Sequence, residues 1–471
     1  MIFSCNNDEI EDLNNRIKAL ELQKRDSVIL GDLQISSQES MNIMAGRGIT
    51  NILGTLYITN CVDLTPLSGL RSVEALYIEL PDGLNSLNGL NDLTAVNYLD
   101  LDFNGGSDVD VSALNGLKSL NGISLGGNLP SISWFEDITN LESLNIYANT
   151  PSMTLSGFGN LVFANYIYID NWDGNLDIQG FEKLTSVIDL SLHANTLNIG
   201  GFNNIQSLSY LNLGGETLNF SGLNGITSLD HLFLLGTTVN ISGLNGIVSL
   251  NHLSLSAEDM DISGLERLKN LQTLDVFAQN SVSGLNNLER VDDYLYLSIG
   301  VYDEFLTGLT TVGFLNINNY SNNYYPYTTS GTSSDIKSFE DFGFSSLQSI
   351  KGLTLDIPSL ESIDGFDFSN STLQEFSINN CPALADISAL STYSGSIEYL
   401  NINNTKLVSL NGLENVTGID GFLSITSNAM LEDFCAIKDI FDLTPVNQRY
   451  IQGNLLNPAS AEDITGCELI E

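Results

Sequence analysis

The chain has 471 residues, with 16 Lys and Arg against 57 Asp and Glu, which gives a formal net charge of -41. A chain of this length is too long for one compact core, so it must divide into domains or extend along one axis. The negative charge repels phosphate backbones and anionic membrane surfaces, which argues against a nucleic-acid partner, and no apolar stretch of about 18 residues is present to span a membrane.

The first residues combine a cysteine with an acidic run. Met1-Ile2-Phe3-Ser4-Cys5 resembles the end of a bacterial lipoprotein signal, although the charged and apolar regions that precede such a cysteine are missing. Asn6 to Asp12 resembles the run that sends Bacteroidetes lipoproteins to the cell surface. The resemblance implies an anchor remnant at residues 1–6, lipidation of Cys5 and an outer-membrane location on the extracellular face, with the lipid as the sole membrane contact. The alternative is an ordinary free or oxidised cysteine.

Residues 7–30 are predicted to form an amphipathic spacer helix. Apolar residues recur there at three- and four-residue steps, with charged residues between them, at Ile10, Leu13, Ile17 and Leu20. Such a stripe buries one face of a helix, against the protein or as a spacer from a membrane. Two heptads are marginal alone, so a spacer is favoured over a coiled-coil oligomer.

From about residue 50 the chain repeats a unit of about 21 residues, most clearly at 200–220, 221–241, 242–262 and 263–282. The first half, Gly-Leu-x-x-Ile/Leu-x-x-Leu, predicts a tight or 3₁₀ turn, and the second half, Leu-x-Leu, predicts a short strand. Neither half buries its apolar face alone, so the coils must stack with their strands in parallel. The prediction is a mainly β repeat solenoid over residues 31–430, with a sheet on one face and turns on the other.

This unit resembles the leucine-rich-repeat family, and more closely the irregular repeats of Bacteroidetes surface lipoproteins and internalin-like proteins. The resemblance covers about residues 50–430. A second short strand at 218–220, 239–241 and 260–262 is expected to pair on another side of the coil, as in receptor L domains. It would replace the ladder formed by the family's Asn after the strand, because that Asn is mostly Ala or Gly here, at Ala148, Ala194, Gly215, Gly236, Ala257 and Ala278.

Towards the C-terminus the period breaks and the spacing changes. Residues 319–337 are a polar insertion, a surface loop or an extra lobe, with candidate ligand contacts at Tyr320, Tyr324, Tyr325 and Tyr327. Residues 431–471 are predicted to cap the last coil. Cys435 and Cys467 bracket that cap and are the natural disulfide pair in an oxidising compartment, whereas Cys61 and Cys381 are expected to be small buried turn residues.

Aromatic residues concentrate at the outward positions of the strands. Since the leucines point inward, the residues before, between and after them face away from the core. We interpret this set, which includes all three histidines, as a strip that stacks on sugar rings or clasps an extended peptide. The alternative is that aromatic residues simply suit strand surfaces. The members are Tyr98, Tyr147, Tyr166, Tyr168, His193, Tyr210, His231, Phe233, His252, Phe277, Tyr294, Tyr296 and Phe314.

Three patterns with possible chemistry have simpler explanations. His231 and His252 occupy equivalent positions one coil apart, and without a third ligand a surface pair is favoured over a metal pair. Residues 122–126 (GISLG) match a hydrolase nucleophile motif but lie inside a repeat. Residues 100–105 match half of an EF-hand loop without its final Glu, which leaves a weak Ca²⁺ candidate against a solvated acidic edge, at Asp100, Asp102, Asp108 and Asp110.

The sequence therefore predicts a non-catalytic binding protein without a cofactor. The first hypothesis is a surface lipoprotein that captures a glycan or peptide along the sheet face, as an accessory to a TonB-dependent SusC/SusD-type importer. The Bacteroidetes resemblance implies that setting. The second hypothesis is a structural or adhesion protein that docks constitutively on a membrane complex or host receptor, with the aromatic residues as interface hot spots. An enzyme is the least favoured class.

Overall fold

The computed structural model describes residues 27–103, 109–129, 131–220, 223–299, 306–318, 336–338, 342, 344 and 346–467. The chain forms two compact units, which we call the N-terminal unit (Met1–Tyr210 with Phe220–Gly225) and the C-terminal unit (Leu211–Asn219 with Ile226–Glu471). The predicted anchor with Cys5, the predicted helix up to residue 26, and the loop residues Tyr320, Tyr324, Tyr325 and Tyr327 lie outside the described residues.

Parallel strands are the main regular elements of the N-terminal unit, and each pairs with a strand of a neighbouring coil. Among the described residues of this unit, the helix α1 (Gln38–Ile43) and the 3₁₀ turns Thr65–Leu67 and Ser112–Gly116 lie between strands. The strands are β1 (Val28–Leu30), β2 (Leu33–Ile35), β3 (Asn51–Ile58), β4 (Ser72–Glu79), β5 (Ala95–Phe103), β6 (Gly122–Gly127), β7 (Ser131–Ile132), β8 (Asn140–Ala148), β9 (Ser152–Leu155), β10 (Phe163–Ile178) and β11 (Ser186–Ile199).

The C-terminal unit has the same construction, with parallel pairing from β13 through β22. Strand β12 (Tyr210–Phe220) contributes residues to both units. The helix α2 (Lys438–Phe441) follows the last long strand. The strands are β13 (Ser228–Asn240), β14 (Ser249–Asp261), β15 (Asn270–Ser283), β16 (Arg290–Ile299), β17 (Thr311–Asn318), β18 (Ser349–Asp356), β19 (Glu375–Ile378), β20 (Gly395–Asn403), β21 (Val416–Thr426) and β22 (Arg449–Gln452).

The leucines of the repeat form columns inside each unit. Leu76, Leu99 and Ile123 are register partners on β4, β5 and β6, and none of the three is exposed. The column continues through Leu144, Ile167 and Leu190, also without exposure. Each coil thus covers the apolar face of its neighbour, which is how such repeats are stabilised. The predicted fold class, a mainly β solenoid of parallel coils, is confirmed.

A stack of phenylalanine rings runs through the turns of the N-terminal unit. The ring centroids are 5.6 Å apart between Phe135 and Phe158, 5.6 Å between Phe158 and Phe181, and 4.8 Å between Phe181 and Phe202. All four residues have left-handed backbones, with φ between 60° and 69°, a region that bulky side chains rarely adopt. The preceding Gly180 has no room for a side chain, because a Cβ there would overlap the carbonyl oxygen of Gly157. The repeat's Gly-Phe pair therefore makes the turn and fills its interior.

The central coils carry the second strand, and the later coils carry the side-chain ladder. Val239 and Met260 pair in parallel near the ends of β13 and β14, as expected. After β19, however, buried polar side chains return at the ladder position: Asn428 Nδ2 donates to the Ile402 carbonyl oxygen at 3.0 Å, and Asn454 Nδ2 donates to the Ile425 carbonyl oxygen at 2.8 Å. The expectation that the ladder is mostly replaced therefore holds for the central coils only.

The stack extends past three boundaries expected from the sequence. Val28–Leu30 is a strand paired with residues 51–53, so the end of the predicted helix at 7–30 is wrong and the stack begins before residue 31. Ile336 is buried and the Lys337 carbonyl oxygen accepts from Glu361 N–H, so these residues belong to a coil and not to the insertion. Arg449–Gln452 adds a strand to β21 inside the predicted cap.

The cysteines occupy two different settings. Cys435 and Cys467 form a disulfide with their Cα atoms 5.4 Å apart, within the predicted cap. Cys61 and Cys381 are free and buried, as expected, although Cys381 lies in a β-bridge with Thr405 and not in a turn. Burial raises the pKa of the Cys381 thiol to about 12. Over the described ranges, no helix has both the length and the apolar character needed to cross a membrane.

Candidate functional site

The outward positions of the strands form three rows in each unit, which together we call the outer face. The first row holds the residue before the two inward residues of a strand, the middle row the residue between them, and the last row the residue after them. On β10, for example, these are Tyr166, Tyr168 and Asp170. Register partners on successive strands continue each row from coil to coil, since the pairing is parallel and in phase.

Three tyrosines stack at the start of the outer face in the N-terminal unit. The rings of Tyr57 and Tyr77 lie 4.9 Å apart at 19°, and the ring of Tyr98 lies 5.7 Å from that of Tyr77. Tyr98 leans over the bare backbone of Gly122, where a Cβ would come within 2.8 Å of its ring. Sequence reasoning missed Tyr57 and Tyr77, although each lies between two inward residues and the Leu-x-Leu rule applies to both.

A second aromatic group lies further along the same unit. Tyr147 and Tyr166 are 51% and 50% exposed, the largest exposures among its predicted contacts. Tyr168 lies 5.4 Å from Tyr147 and donates from its hydroxyl to Asp170 Oδ2 at 3.1 Å. Burial, then the Asp170 charge and this hydrogen bond, raise the pKa of Tyr168 to about 12. The Tyr168 phenol therefore stays protonated at neutral pH.

The expectation that His193 is open to a ligand is wrong. Its side chain points to the outer face but is only 8% exposed, because the Trp172 ring stacks on it at 5.1 Å and 10° and the Tyr168 ring meets it edge-on at 5.6 Å. Trp172 lies where the register between β10 and β11 shifts. Sequence spacing does not reveal such an irregularity. Tyr210, at the start of β12, is half-buried.

Two stacked histidines lie on the first strands of the C-terminal unit's outer face. His231 and His252 are register partners, with ring centroids 4.4 Å apart at 13°. His231 Nδ1 lies 3.1 Å from Asp230 Oδ2, and the Phe233 ring lies parallel to the His231 ring at 6.2 Å. Over the residues that the structure describes, no three His, Cys, Asp or Glu side chains are grouped to hold a metal ion. The arrangement is that of a flat aromatic surface pair.

Three further rings form a flat group on the next coils. The Tyr294 ring is parallel to that of Tyr296 at 5.6 Å and to that of Phe314 at 5.2 Å, and Tyr294 is 43% exposed. Phe314 covers Gly352 on the next strand, where any Cβ would collide with the ring. Phe277, on β15, is half-buried.

A carboxylate that sequence reasoning did not single out lies beside these rings. Asp275 is on the middle row of β15, where Ser254 and Tyr296 are its register partners on either side. Its Oδ1 atom is buried and accepts no hydrogen bond from any described residue. Burial raises the pKa of Asp275 from 3.8 to about 6. The sequence Leu274-Asp275-Val276 alone indicates a solvated acid, since the groups that bury Asp275 come from other coils.

Replacing Asp275 by Asn is expected to stabilise the protein at pH 8. Between pH 3.8 and about 6 the folded chain holds a proton on Asp275 that the unfolded chain releases, so this carboxyl opposes folding increasingly as the pH rises through that window. After allowance for solvent screening of a partly exposed group, Asp275→Asn should gain about 1–2 kcal/mol at pH 8. Urea unfolding at pH 8 and pH 5 measures this gain, which must shrink at the lower pH. An equal gain at both values would contradict the raised pKa.

Every charged side chain in the three rows is acidic. From Thr55 to Gln452, within the described ranges, no Lys or Arg occupies a row position. The sequence contains 16 Lys and Arg in all, so they lie elsewhere on the chain. The acidic positions are Glu79, Asp100, Asp102, Asp170 and Asp189 in the N-terminal unit and Asp275, Asp356 and Glu375 in the C-terminal unit.

The remaining sequence motifs are absorbed into strands and turns. Residues 122–126 lie inside β6, and the Ser124 side chain forms a hydrogen bond with Asp100. Burial raises the pKa of the Asp100 carboxyl. Asp100 and Asp102 are row positions on β5, whereas the Asp110 carboxylate accepts from Ser112 N–H at 2.9 Å. Asp108 lies outside the described residues. The structure therefore does not bring the described members of the Ca²⁺ candidate into one ligand set.

Fold and site together define a solenoid of leucine-rich parallel coils with an aromatic, acidic outer face. No protein-family model matches the chain, and no curated protein matches it. Solved structures that are similar to it include a TLR13–ssRNA13 complex, 15% identical over 90% of this chain and 85% of that chain (TM-score 0.26), and the glycosylated Toll–Spatzle complex of Drosophila, 14% identical over 76% and 61% (TM-score 0.28). At these identities the likeness concerns the fold alone.

Proposed function

We propose that this protein is a non-catalytic binding protein that holds an extended ligand, a glycan or a peptide, on its outer face. The supporting observation is that aromatic rings on the rows, with Tyr294 among them, are already stacked on neighbouring rings before any ligand arrives. Stacked rings have little conformational freedom left to lose when a ligand binds. Covering a large aromatic surface that is open to water is also favourable. Tyr147, Tyr166 and Tyr294 are the most exposed aromatic residues among the predicted contacts.

Removing an exposed ring should weaken binding without unfolding the protein. We expect Tyr166→Ala and Tyr294→Ala each to reduce affinity at least tenfold, about 1.4 kcal/mol. Glycan and peptide arrays identify a ligand, and calorimetry on the purified variants measures the loss. Val162→Ala and Val248→Ala are the matched controls, since both valines are exposed but lie outside the rows. Unchanged affinity in both tyrosine variants would exclude the outer face.

The acidic rows also bear on nucleic acid. Phosphate backbones bind through Lys and Arg, and the described rows supply neither. We therefore propose that nucleic acid is not the ligand. A retained complex with single-stranded RNA or DNA at physiological salt would contradict this exclusion.

We further propose a cell-surface lipoprotein, anchored to the outer membrane through Cys5 and accessory to a SusC/SusD-type importer. The support is the resemblance of residues 1–12 to Bacteroidetes lipoproteins. Mass spectrometry of the protein from native membranes tests the anchor, since a diacyl or triacyl mass on Cys5 is expected and an unmodified thiol would refute it. Co-purification with a SusC/SusD pair tests the setting.

A structural or adhesion protein remains the second candidate, and one observation favours it. Large apolar side chains are exposed in the C-terminal segment, with Leu443 at 66%, Val446 at 75% and Leu455 at 62%. Exposed apolar side chains that form one patch are typical of a protein interface. This candidate expects a stoichiometric partner that survives detergent and is lost in Leu443→Ser/Val446→Ser, whereas Tyr294→Ala retains it.

A further inference from the structure

Asp275 is a partly buried carboxylate on the outer face, and its neighbours define the chemistry around it. On its own strand, Thr273 and Phe277 occupy the first and last rows. On the adjacent strands, Ser254 and Tyr296 are its direct partners. The carboxylate therefore lies in a frame of hydroxyl groups and aromatic rings, and none of these four neighbours carries a positive charge.

The Asp275 carboxylate is incompletely satisfied in this frame. Oδ1 is buried without a hydrogen-bond donor from any described residue, and on the adjacent β14 the buried Ser256 Oγ also has no partner within the described ranges. A carboxylate oxygen that is buried without a donor is costly. Folding alone does not explain why this position keeps an acid, because a neutral residue would remove that cost.

The rings beside Asp275 also favour a positively charged ligand group, as the carboxylate does. The rings of Tyr296 and Phe314 each stack on that of Tyr294, and a cation is attracted to the face of such rings. A carboxylate and aromatic faces together favour a group that carries positive charge, N–H donors and an apolar stem. A neutral sugar supplies hydroxyl donors but gains nothing from the charge.

We propose that the outer face of the C-terminal unit binds a basic peptide segment, with a Lys or Arg side chain of that segment seated on Asp275 and the Tyr294–Tyr296 rings. This deepens the proposed function, on which it rests, by choosing a peptide over a glycan and naming the contact. The net charge of -41 and the absence of Lys and Arg from the described rows support the same polarity, since a cationic segment is drawn to the face and meets no repulsion there.

The test uses the full chain and three fluorescent ten-residue peptides: alternating Lys and Ser, the same with Gln for every Lys, and the same with Glu. Anisotropy at physiological salt should show the Lys peptide binding at least tenfold more tightly than the Gln peptide, and no binding of the Glu peptide. Asp275→Asn should weaken the Lys peptide at least tenfold. Asp364→Asn, which removes the same charge from an exposed turn outside the rows, should leave it unchanged.

Each possible result decides between a specific site and general attraction. Equal losses in Asp275→Asn and Asp364→Asn, or no binding of the Lys peptide, would overturn the basic-peptide site. Misfolding does not confuse the result, because Asp275→Asn is expected to be the more stable protein. If Tyr294→Ala abolishes binding of an array-identified neutral glycan while Asp275→Asn retains it, the proposed function stands and this inference fails. If neither variant affects any ligand, both fail.

Discussion

Phe181→Ala is expected to lower the free energy of unfolding by about 3–5 kcal/mol, the usual cost of deleting a large buried ring. Phe181 is fully buried between the rings of Phe158, parallel within 1°, and Phe202. Its removal leaves a cavity that two stiff neighbouring turns cannot close. Urea unfolding followed by circular dichroism measures the loss, and hydrogen exchange shows whether the coils around the cavity open first.

Phe181→Leu is the matched comparison, because the repeat itself uses leucine at this position. Leu223 and Leu285 each follow a glycine. Their own φ angles are 66° and 57°, close to the 69° of Phe181. The leucine variant keeps the backbone and much of the volume, so its loss should stay near 1 kcal/mol. Equal losses for Ala and Leu would show that the ring stack itself, and not the filled volume, stabilises these turns.

Asn428→Ala is expected to lower the free energy of unfolding by about 3 kcal/mol, because it leaves several buried polar groups without their hydrogen-bond partner. Asn428 is fully buried, and its Oδ1 accepts from Thr405 N–H at 2.9 Å and from Thr405 Oγ1 at 2.7 Å. Its Nδ2 donates to the Ile402 carbonyl oxygen and to Asn454 Oδ1. The same urea unfolding measures the loss.

The neighbouring coils supply the control for Asn428. Thr405 and Cys381 hold the equivalent positions one and two coils earlier, so Asn428→Thr keeps part of the network and should lose less than Asn428→Ala. Asn411→Ala, in an exposed turn, should change little. A loss below about 1 kcal/mol for Asn428→Ala would mean that the ladder is replaceable by packing alone.

What could be predicted from the sequence is whatever the period itself determines. The inward leucines, the parallel register and the outward positions of Tyr166, His231 and Tyr294 all follow from one alternation repeated in every coil. The second strands of the central coils also follow, because their apolar residues recur at the same offset.

What could not be predicted depends on single side chains meeting across coils. The burial of His193 requires the irregular segment that carries Trp172, and the raised pKa of Asp275 requires neighbours about 20 residues away in the chain. The left-handed φ of Phe181 has no sequence signal beyond the preceding glycine, a residue that is itself common in this repeat.

The glycines beneath Tyr98 and Phe314 determine how these two rings lie on the outer face. Each ring occupies its position over the neighbouring coil only because that coil has no side chain at Gly122 or Gly352. An alanine at either place would collide with the ring, displace it and so change the contour of the outer face. The contour offered to a partner is thus encoded partly in residues that the partner never touches, and binding preference can drift through them while the aromatic set stays the same.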